Sequence, residues 1–362
     1  MKIIKTPFEE LKQDIEDGIK GLNEGIPIGL TKLNKHASFR QRIFTLLFSS
    51  SGAGKSSLDD TMMLNACDYM IENNIKDKSI EFILFSMERS KKLRIAKWIV
   101  RKIFIEHHIE IQVPKLMGWW DTKLSKDEHD LVLKYEDYIN ELLESYINIY
   151  EGARTPENIT EILDNYFEEN GKYEDISKDK QIYIPNKPNK IVVPNIDHGN
   201  LTKRGKHKSK KEAIDTLVGS LQNFRDLEGA SPFWVAQINR NFIGQVGLKD
   251  EMAEPSTDAL KESGDVEDAA DLILSLFDPL KFRQGSKTGY APPDFVDKKN
   301  GASYFRSIQT LKSTYGESGG RIPLAFNGFA GDFRELPNRN DMSDDDYENL
   351  VQFVLDKSYF KK

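Results

Sequence analysis

Apolar residues in this chain form short uninterrupted runs, and helical spacing of apolar residues follows several of them. A run of this kind predicts a buried strand. The strand-like runs cover residues 43–48, 82–85, 190–196, 233–236 and 272–277. Strands that alternate with helices predict a parallel sheet flanked by helices. Two more strand patterns, at 305–311 and 322–326, surround a Gly-rich turn and predict an antiparallel hairpin at the C-terminal edge of the sheet.

Two regions lie outside this alternation. Residues 6–24 carry apolar side chains at helical spacing, which predicts a short amphipathic helix that packs on its own core or docks on a neighbouring subunit. Those side chains belong to Phe8, Leu11, Ile15, Ile19 and Leu22. Residues 110–190 alternate helical and polar stretches, and we interpret them as an insertion at the edge of the sheet.

The composition indicates a soluble cytoplasmic protein. The chain has 362 residues, enough for one large α/β domain with insertions or for two small domains. It lacks an apolar stretch of the roughly 18 residues that span a bilayer, and its first residues lack the apolar core of a signal peptide. Cys67 is the single cysteine, which excludes an internal disulfide and is typical of a reducing cytoplasm. Because the net charge is −7, any polyanion-binding site must be a local basic patch.

The segment between the first strand run and the next helical pattern reads SSSGAGKS, at residues 49–56. Backbone N–H groups of such a loop surround phosphate oxygens, and the helix that follows adds a partial positive charge. In this arrangement the Lys55 ammonium reaches the β- and γ-phosphates, and the Ser56 hydroxyl ligates Mg²⁺. The expected nucleotide-binding residues are Ser51, Gly52, Ala53, Gly54, Lys55, Ser56 and Ser57. Ser49 stands where the usual pattern has glycine, and the alternative interpretation is a Ser/Gly-rich surface turn.

Polar residues at the ends of three other strands complete a candidate site for nucleotide hydrolysis. Asp197 follows the third run and is expected to bind the metal, although Pro194 interrupts that strand pattern. Glu88 follows the second run and is the candidate base for the attacking water. Gln237 ends the fourth run and is placed to touch the γ-phosphate. The alternatives are a surface aspartate in a turn, a glutamate stabilised by a helix N-terminus and a strand-end polar residue.

A dense run of basic residues follows the third strand. Its cations are Lys203, Arg204, Lys206, Lys208, Lys210 and Lys211. Ligands of parallel sheets bind at the carboxyl ends of the strands, so a loop at this point is placed to contact a phosphate backbone without sequence preference. The alternative is a solvated charge run, which is common in proteins.

The order of these motifs resembles the motor domain of DnaB-type replicative helicases. The resemblance covers residues 25–105 and 190–335, in family order. Its lead-in is GIPIGLTKL, and FILFSME, IDHGNL and WVAQINR are similar to the motifs that carry the family's catalytic glutamate, metal aspartate and glutamine. The most specific match is LKESGDVEDAAD at 260–271, and LKSTYGESG at 311–319 resembles the family's hairpin motif.

The resemblance implies an α/β fold with a RecA-like P-loop NTPase core, in which helices flank a mainly parallel sheet with an antiparallel hairpin at its C-terminal edge. It divides the chain into a linker helix at 1–24, an ATPase and helicase domain at 25–345 with the insertion at 110–190, and a helical tail at 346–362. The implied activity is ATP-dependent translocation on single-stranded DNA by a homo-hexameric ring. ATP and Mg²⁺ are the implied cofactors, and a primase or helicase loader is the implied further partner.

The resemblance also assigns roles to residues near the C-terminal hairpin and the fourth strand. Lys312 is expected to sense the γ-phosphate bound by the adjacent subunit, and Arg240 is expected to join the basic run in binding DNA. The family's arginine finger falls at Thr314, so Arg321 and Arg306 become the candidates for that role. A motor domain with a large insertion and without the family's N-terminal domain suggests a virus-encoded version.

Two other functions stay open at this point. RecA-like recombinases and KaiC-like ATPases share the core but lack the segment at 263–267. Assembly on DNA as a filament rather than a ring would favour this alternative. A nucleotide-gated scaffold or loader with weak hydrolysis is the non-enzymatic alternative. The absence of an arginine at Thr314 is the feature that favours it.

Overall fold

The computed structural model describes residues 6–21, 23–177, 180–238, 254–260 and 264–360. Its helices are α1 (Pro7–Ile19), α2 (Lys55–Glu72), α3 (Lys91–His107), α4 (Val113–Leu116), α5 (Lys126–Leu133), α6 (Glu136–Ser145), α7 (Pro156–Asn170), α8 (Lys210–Asp226), α9 (Gly264–Ala269) and α10 (Asp344–Leu355). Its strands are β1 (Ile26–Pro27), β2 (Ser38–Phe39), β3 (Thr45–Ser49), β4 (Ser79–Ser86), β5 (Ile147–Glu151), β6 (Gly171–Ser177), β7 (Lys180–Pro185), β8 (Lys190–Asp197), β9 (Phe233–Gln237), β10 (Leu272–Phe277), β11 (Phe305–Ser313), β12 (Arg321–Asn327) and β13 (Asp332–Glu335).

One large sheet dominates the described part of the chain, with the strand order β13–β12–β11–β10–β3–β9–β8–β4–β5. The strands from β10 to β5 are parallel to one another. The strands β11, β12 and β13 extend the sheet in antiparallel fashion beyond β10. These pairings confirm the predicted α/β class, the mainly parallel sheet and its antiparallel C-terminal edge.

Helices cover both faces of this sheet. Successive residues of a strand point to opposite sides, so a central strand needs apolar residues throughout. In β3, Leu47 belongs to the buried core shared with α2, α3 and α6, whereas Leu46 and Phe48 belong to the core shared with α7 and α8. This burial on both faces explains the uninterrupted apolar runs of the sequence.

Every strand run predicted from the sequence forms a strand of the large sheet. The two strands of that sheet that were not predicted, β5 and β13, lie at its outer edges. Their sequences, INIYE and DFRE, carry polar or charged residues and are only partly buried. An edge strand is covered less than a central one, so its sequence lacks the continuous apolar run used for the prediction.

The interruption at Pro194 lies where it does little harm to the sheet. Its strand, β8, pairs with β4 along its whole length, but its ladder with β9 begins only at Asn195. Pro194 therefore precedes the part of β8 that has a partner on both sides. This position accommodates a residue without an N–H in a strand that is otherwise internal.

The N-terminal helix α1 carries an exposed apolar stripe. Thr6 caps the helix in a reciprocal arrangement with Glu9. The stripe comprises Phe8, Leu11, Ile15 and Ile19, and all four side chains are exposed, Ile19 by 82%. The predicted helix is present, but this stripe does not pack on the core, and Leu22 lies outside the described residues.

The predicted insertion and the predicted C-terminal tail both contribute residues to the buried core. Residues 110–190 contain the helices α4 to α7, the outermost strand β5 and the two-stranded β6–β7 sheet. At the C-terminus, α10 buries Leu350, Val351 and Val354 in a core that also contains Phe305. Among the described residues, no helix combines the length and the apolarity that a membrane crossing would require.

Candidate nucleotide site and basic loop

The loop between β3 and α2 has the backbone turns that the predicted phosphate loop requires. Gly52 and Gly54 have φ angles of 76° and 104°, in the region that favours glycine. A Cβ atom on Gly54 would also lie 2.9 Å from the rings of both Phe326 and Phe333. Ser49 is the buried last residue of β3. Because its backbone is extended, the first position of the motif does not require glycine here.

The first two residues of α2, Lys55 and Ser56, lie near the predicted metal-binding aspartate, Asp197. Lys55 and Ser56 are both buried. Burial lowers the pKa of Lys55, whereas the charges of Glu88 and Asp197 act in the opposite direction. The Ser56 hydroxyl donates a hydrogen bond to Oδ1 of Asp197 at 3.1 Å. The start of α2 and the end of β8 therefore meet beside the phosphate loop.

The donor set at this meeting point fits a magnesium ion. Mg²⁺ prefers oxygen ligands and usually retains several waters, so that one or two protein oxygens suffice when nucleotide phosphates complete the shell. Ser56 and Asp197 offer a hydroxyl and a carboxylate that lie in direct contact. Both residues are almost completely buried, which limits competition from bulk water.

Glu88 lies next to this pair because β4 and β8 are hydrogen-bonded neighbours in the sheet up to their carboxyl ends. The Met87 N–H donates to the Asp197 carbonyl at 2.8 Å. Glu88 follows, with half of its side chain exposed and its Oε2 3.8 Å from Nε2 of His198. The carboxylate is therefore accessible to a water molecule while it remains within electrostatic range of Lys55.

Gln237 lies at the same edge of the sheet. In the pairing of β3 with β9, Gln237 is directly opposite Ser49, the residue that precedes the loop. Its N–H donates to Oδ1 of Asn200 at 3.3 Å. The structure thus places Lys55, Glu88 and Gln237 at one edge, as predicted from their positions at strand ends, although their catalytic roles stay predictions.

A buried arginine that sequence reasoning missed organises the base of this site. Arg94 of α3 is completely buried and forms ion pairs with three carboxylates, Asp59 at 2.8 Å, Asp60 at 2.7 Å and Asp197 at 2.8 Å. Burial disfavours the charged guanidinium, but the three carboxylates outweigh it and raise the pKa of Arg94. The available signal was the Asp59–Asp60 pair in an otherwise apolar stretch of α2, since buried acids need a partner.

A second buried arginine supports the phosphate loop itself. The Arg306 Nε donates to the Ala53 carbonyl at 2.9 Å, and Nη2 lies 3.1 Å from Oδ2 of Asp278. Lys281 also donates to the loop, at the Ser51 carbonyl. Arg306 was a candidate for reaching a neighbouring subunit. That hypothesis is wrong, because its guanidinium is buried against its own phosphate loop.

Lys312 lies level with the amino ends of the parallel strands, whereas its own phosphate loop lies at their carboxyl ends. It is paired with Ile273 of β10, and Ile273 is in turn level with Leu46 near the start of β3. Its Nζ donates to the carbonyls of Glu267 and Asp268, at 3.1 and 3.4 Å. Lys312 is therefore remote from the nucleotide site of its own chain, and any role at a nucleotide requires a second subunit.

Arg321 is the other arginine proposed to replace the one missing at Thr314. It begins β12 and pairs with Gln309 of β11, toward the same end of the hairpin as Lys312. Its Nε lies 2.5 Å from Oε2 of Glu254, and about a third of its side chain is exposed. Arg321 is thus accessible at the edge that carries Lys312.

The basic run extends from the loop between β8 and α8 into the first two residues of α8. All six of its cations are exposed: Lys203, Arg204, Lys206, Lys208, Lys210 and Lys211. Lys211 pairs with Asp215 at 2.6 Å, and Lys206 lies 3.4 Å from Glu157. Because β8 ends at Asp197, the loop starts at the edge of the sheet that carries the phosphate loop. Arg240 lies outside the described residues.

Comparisons of the sequence alone give no relatives. No protein-family model matches the chain, and no curated protein matches it significantly.

Comparison of the fold is informative. One solved structure, an ATPase domain, matches with a TM-score of 0.65 and 21% identity, over 92% of this chain and all of that chain. A DnaB-like replicative helicase, solved in a study of its interactions with primase, gives the same TM-score and identity over 92% of this chain and 68% of that chain. The chain has the RecA-like fold of DnaB-like helicase ATPase domains, which confirms the predicted resemblance.

Proposed function

We propose that this protein is an ATP-hydrolysing helicase that moves along single-stranded DNA as a ring. The observation that carries the proposal is the contact between Ser56 and Asp197 beside the phosphate loop, with Glu88 on the adjoining strand end. These residues come from distant parts of the sequence and have the chemistry that nucleotide hydrolysis requires. The shared fold with a DnaB-like replicative helicase supports the choice of a DNA motor over other ATPases.

The proposed mechanism distributes four tasks among the groups at the carboxyl ends of the strands. The loop N–H groups and Lys55 bind the phosphates and stabilise the charge that develops on them. Ser56 and Asp197 would hold Mg²⁺, which would neutralise phosphate charge when bound. Glu88, exposed and close to Lys55, orients the attacking water and accepts its proton. Gln237 reports the presence of the γ-phosphate to the chain that follows β9.

Replacing Glu88 with glutamine is expected to lower ATP turnover about a hundredfold or more, because the amide cannot accept the proton of the attacking water. ATP binding should persist, since the loop, Lys55 and Asp197 are unchanged. Turnover measured by phosphate release, together with binding of a fluorescent ATP analogue, checks both expectations. A variant that hydrolyses ATP at the wild-type rate would remove Glu88 from the mechanism.

The basic loop is the proposed DNA contact. Replacing Lys203, Arg204 and Lys208 with serine should weaken binding to single-stranded DNA and lower the slope of log K against log salt by up to about 2, because each lost phosphate contact removes about 0.7. Fluorescence anisotropy of a labelled oligonucleotide over a series of salt concentrations measures the slope. An unchanged slope would show that the loop is a solvated charge run.

Two surfaces of the domain carry features that support ring assembly. The exposed stripe of α1 would dock on the adjacent subunit, which would bury Phe8 and Ile19. Lys312 would meet the neighbour's nucleotide across the interface, since it is remote from its own. Sizing with an ATP analogue and single-stranded DNA present, coupled to unwinding of a forked duplex, tests the hexamer and the helicase activity together. A primase or a helicase loader would be a further partner of the ring.

A nucleotide-gated scaffold with weak hydrolysis is the second candidate. Thr314 replaces the arginine of the family's hairpin, and Arg306 is committed to its own phosphate loop. Arg321 is the remaining candidate for the role in trans. ATP hydrolysis that stays slow and is not accelerated by single-stranded DNA would favour the scaffold over the motor.

A further inference from the structure

The loop of basic residues contacts the start of α7, which belongs to the segment between β5 and β8 that has no role in the proposed mechanism. The Lys203 N–H donates to the Arg154 carbonyl at 2.8 Å. Oε1 of Glu157 lies 3.4 Å from Nζ of Lys206 and 3.0 Å from Nε2 of His207. The loop is therefore held by one backbone hydrogen bond and by one carboxylate that faces two of its side chains.

The fit between the loop and the helix is close. Gly205 has a φ angle of 56°, and a Cβ atom at this position would lie 3.1 Å from Cγ2 of Thr155 and 3.3 Å from Oε2 of Glu157. The His207 side chain is only 9% exposed, although its charged neighbours in the loop are exposed. The loop thus has an inner side against α7 and an outer side toward solvent.

The two helices that contact the loop, α7 and α8, are packed against each other. The Phe167 ring of α7 stacks on the Phe224 ring of α8, with centroids 5.5 Å apart, and both belong to one buried core. On the far side of the loop, the Lys208 N–H donates to Glu212 of α8 at 2.8 Å. The loop is consequently fixed at both ends to two helices that are packed against each other.

Glu157 has the charge that such a loop requires. Backbone hydrogen bonding at the start of α7 lowers the pKa of Glu157, so this carboxyl is ionised at neutral pH. Cations crowded into one loop repel one another, and an anion on the inner side offsets that repulsion. The carboxylate lies beside Lys206, which stays exposed, and beside the largely buried His207, while Lys203, Arg204 and Lys208 are exposed and available to a ligand.

We infer that residues 154–157 act as a clamp that fixes the basic loop in the conformation presented to a polyphosphate chain, with Glu157 as its positioning residue. In this role, residues 154–157 support nucleic-acid binding although they do not contact the ligand themselves. The identity of the ligand as single-stranded DNA rests on the proposed function, whereas the clamp itself is a property of this chain alone.

The sign of one substitution separates the clamp from simple electrostatics. If Glu157 were only a nearby negative charge, Glu157→Gln would strengthen binding to DNA, because it removes an anion close to the phosphates. The clamp predicts the opposite, a loss of about fivefold in affinity, since the loop must then be ordered on binding. The matched control is Glu161→Gln, an exposed glutamate one turn further along α7, for which affinity should stay the same or rise.

Limited trypsin digestion without DNA tests the clamp independently of its ligand. The loop contains four cleavage sites, after Lys203, Arg204, Lys206 and Lys208. Glu157→Gln should accelerate cutting there, whereas Glu161→Gln should match the wild type. His207→Gln removes the partner on the loop side and should give the same acceleration. Equal melting temperatures would show that these variants are folded.

Two results have distinct meanings. If Glu157→Gln and His207→Gln are both cut at the wild-type rate, or if Glu157→Gln binds DNA more tightly, the clamp is overturned. If cutting accelerates but the triple serine variant of the loop binds DNA as the wild type does, the clamp stands and the proposed DNA ligand fails.

Discussion

Replacing Lys55 with alanine is expected to reduce ATP turnover to less than about one hundredth of the wild-type rate, because a preorganised cation aimed at the developing charge is lost. The ammonium is buried at the start of α2, directly beyond the phosphate loop. Its burial, which lowers the pKa of Lys55, indicates a charge held out of water for a ligand. Phosphate release under saturating ATP measures the loss.

The same substitution should leave the fold intact. Burial of a lysine costs free energy, so its removal is not expected to lower the melting temperature of the protein without nucleotide. The shift in melting temperature that ATP causes in the wild type should disappear. Lys92→Ala, at an exposed position of α3, serves as a preparation control. If turnover persists in a clean preparation of Lys55→Ala while Lys92→Ala behaves as the wild type, the nucleotide site is elsewhere.

Most of the sheet could be predicted from the sequence because its strands are buried on both faces. A central parallel strand such as β10 must be apolar throughout, and its predicted bounds, 272–277, are those of the structure. The same reasoning fails at the edges, where β5 and β13 are covered less and their residues are mixed. Burial, rather than local propensity, is what the apolar pattern reported.

The candidate site divides in a similar way. Sequence reasoning could place three of its residues together, because each lies at or after the carboxyl end of a parallel strand and these ends lie on the same side of the sheet. These residues are Lys55, Glu88 and Asp197. Arg94 could not be predicted, because its three partners are distributed over α2 and β8 and only the tertiary fold brings them together. Arg306 was a candidate for contact with a neighbouring subunit for the same reason: its partner, the Ala53 carbonyl, is not marked by any sequence pattern.

Replacing Arg94 with methionine is expected to destabilise the protein by about 3–5 kcal/mol, because the loss of one partner leaves buried charges without compensation. The three carboxylates that surround it, Asp59, Asp60 and Asp197, are almost completely buried. Arg94→Lys should recover little of this, since an ammonium is a compact charge and cannot bridge three carboxylates as the guanidinium fork does. The free energy of unfolding in urea measures both effects.

The matched control shows whether Arg94 serves the nucleotide site as well as the fold. Arg101 forms another buried ion pair, with Asp332 at 2.9 Å, and neither residue contacts Asp197. Arg101→Met should therefore also destabilise the protein but leave the magnesium requirement of nucleotide binding unchanged. Arg94→Met should raise that requirement, because Nη1 no longer holds Oδ2 of Asp197 while Oδ1 faces Ser56. Equal magnesium titrations of a fluorescent ATP analogue in the two variants would restrict Arg94 to a structural role. A stability within about 1 kcal/mol of the wild type would show that the buried carboxyl groups take up protons when Arg94 is removed, so that no buried charge is left without a partner.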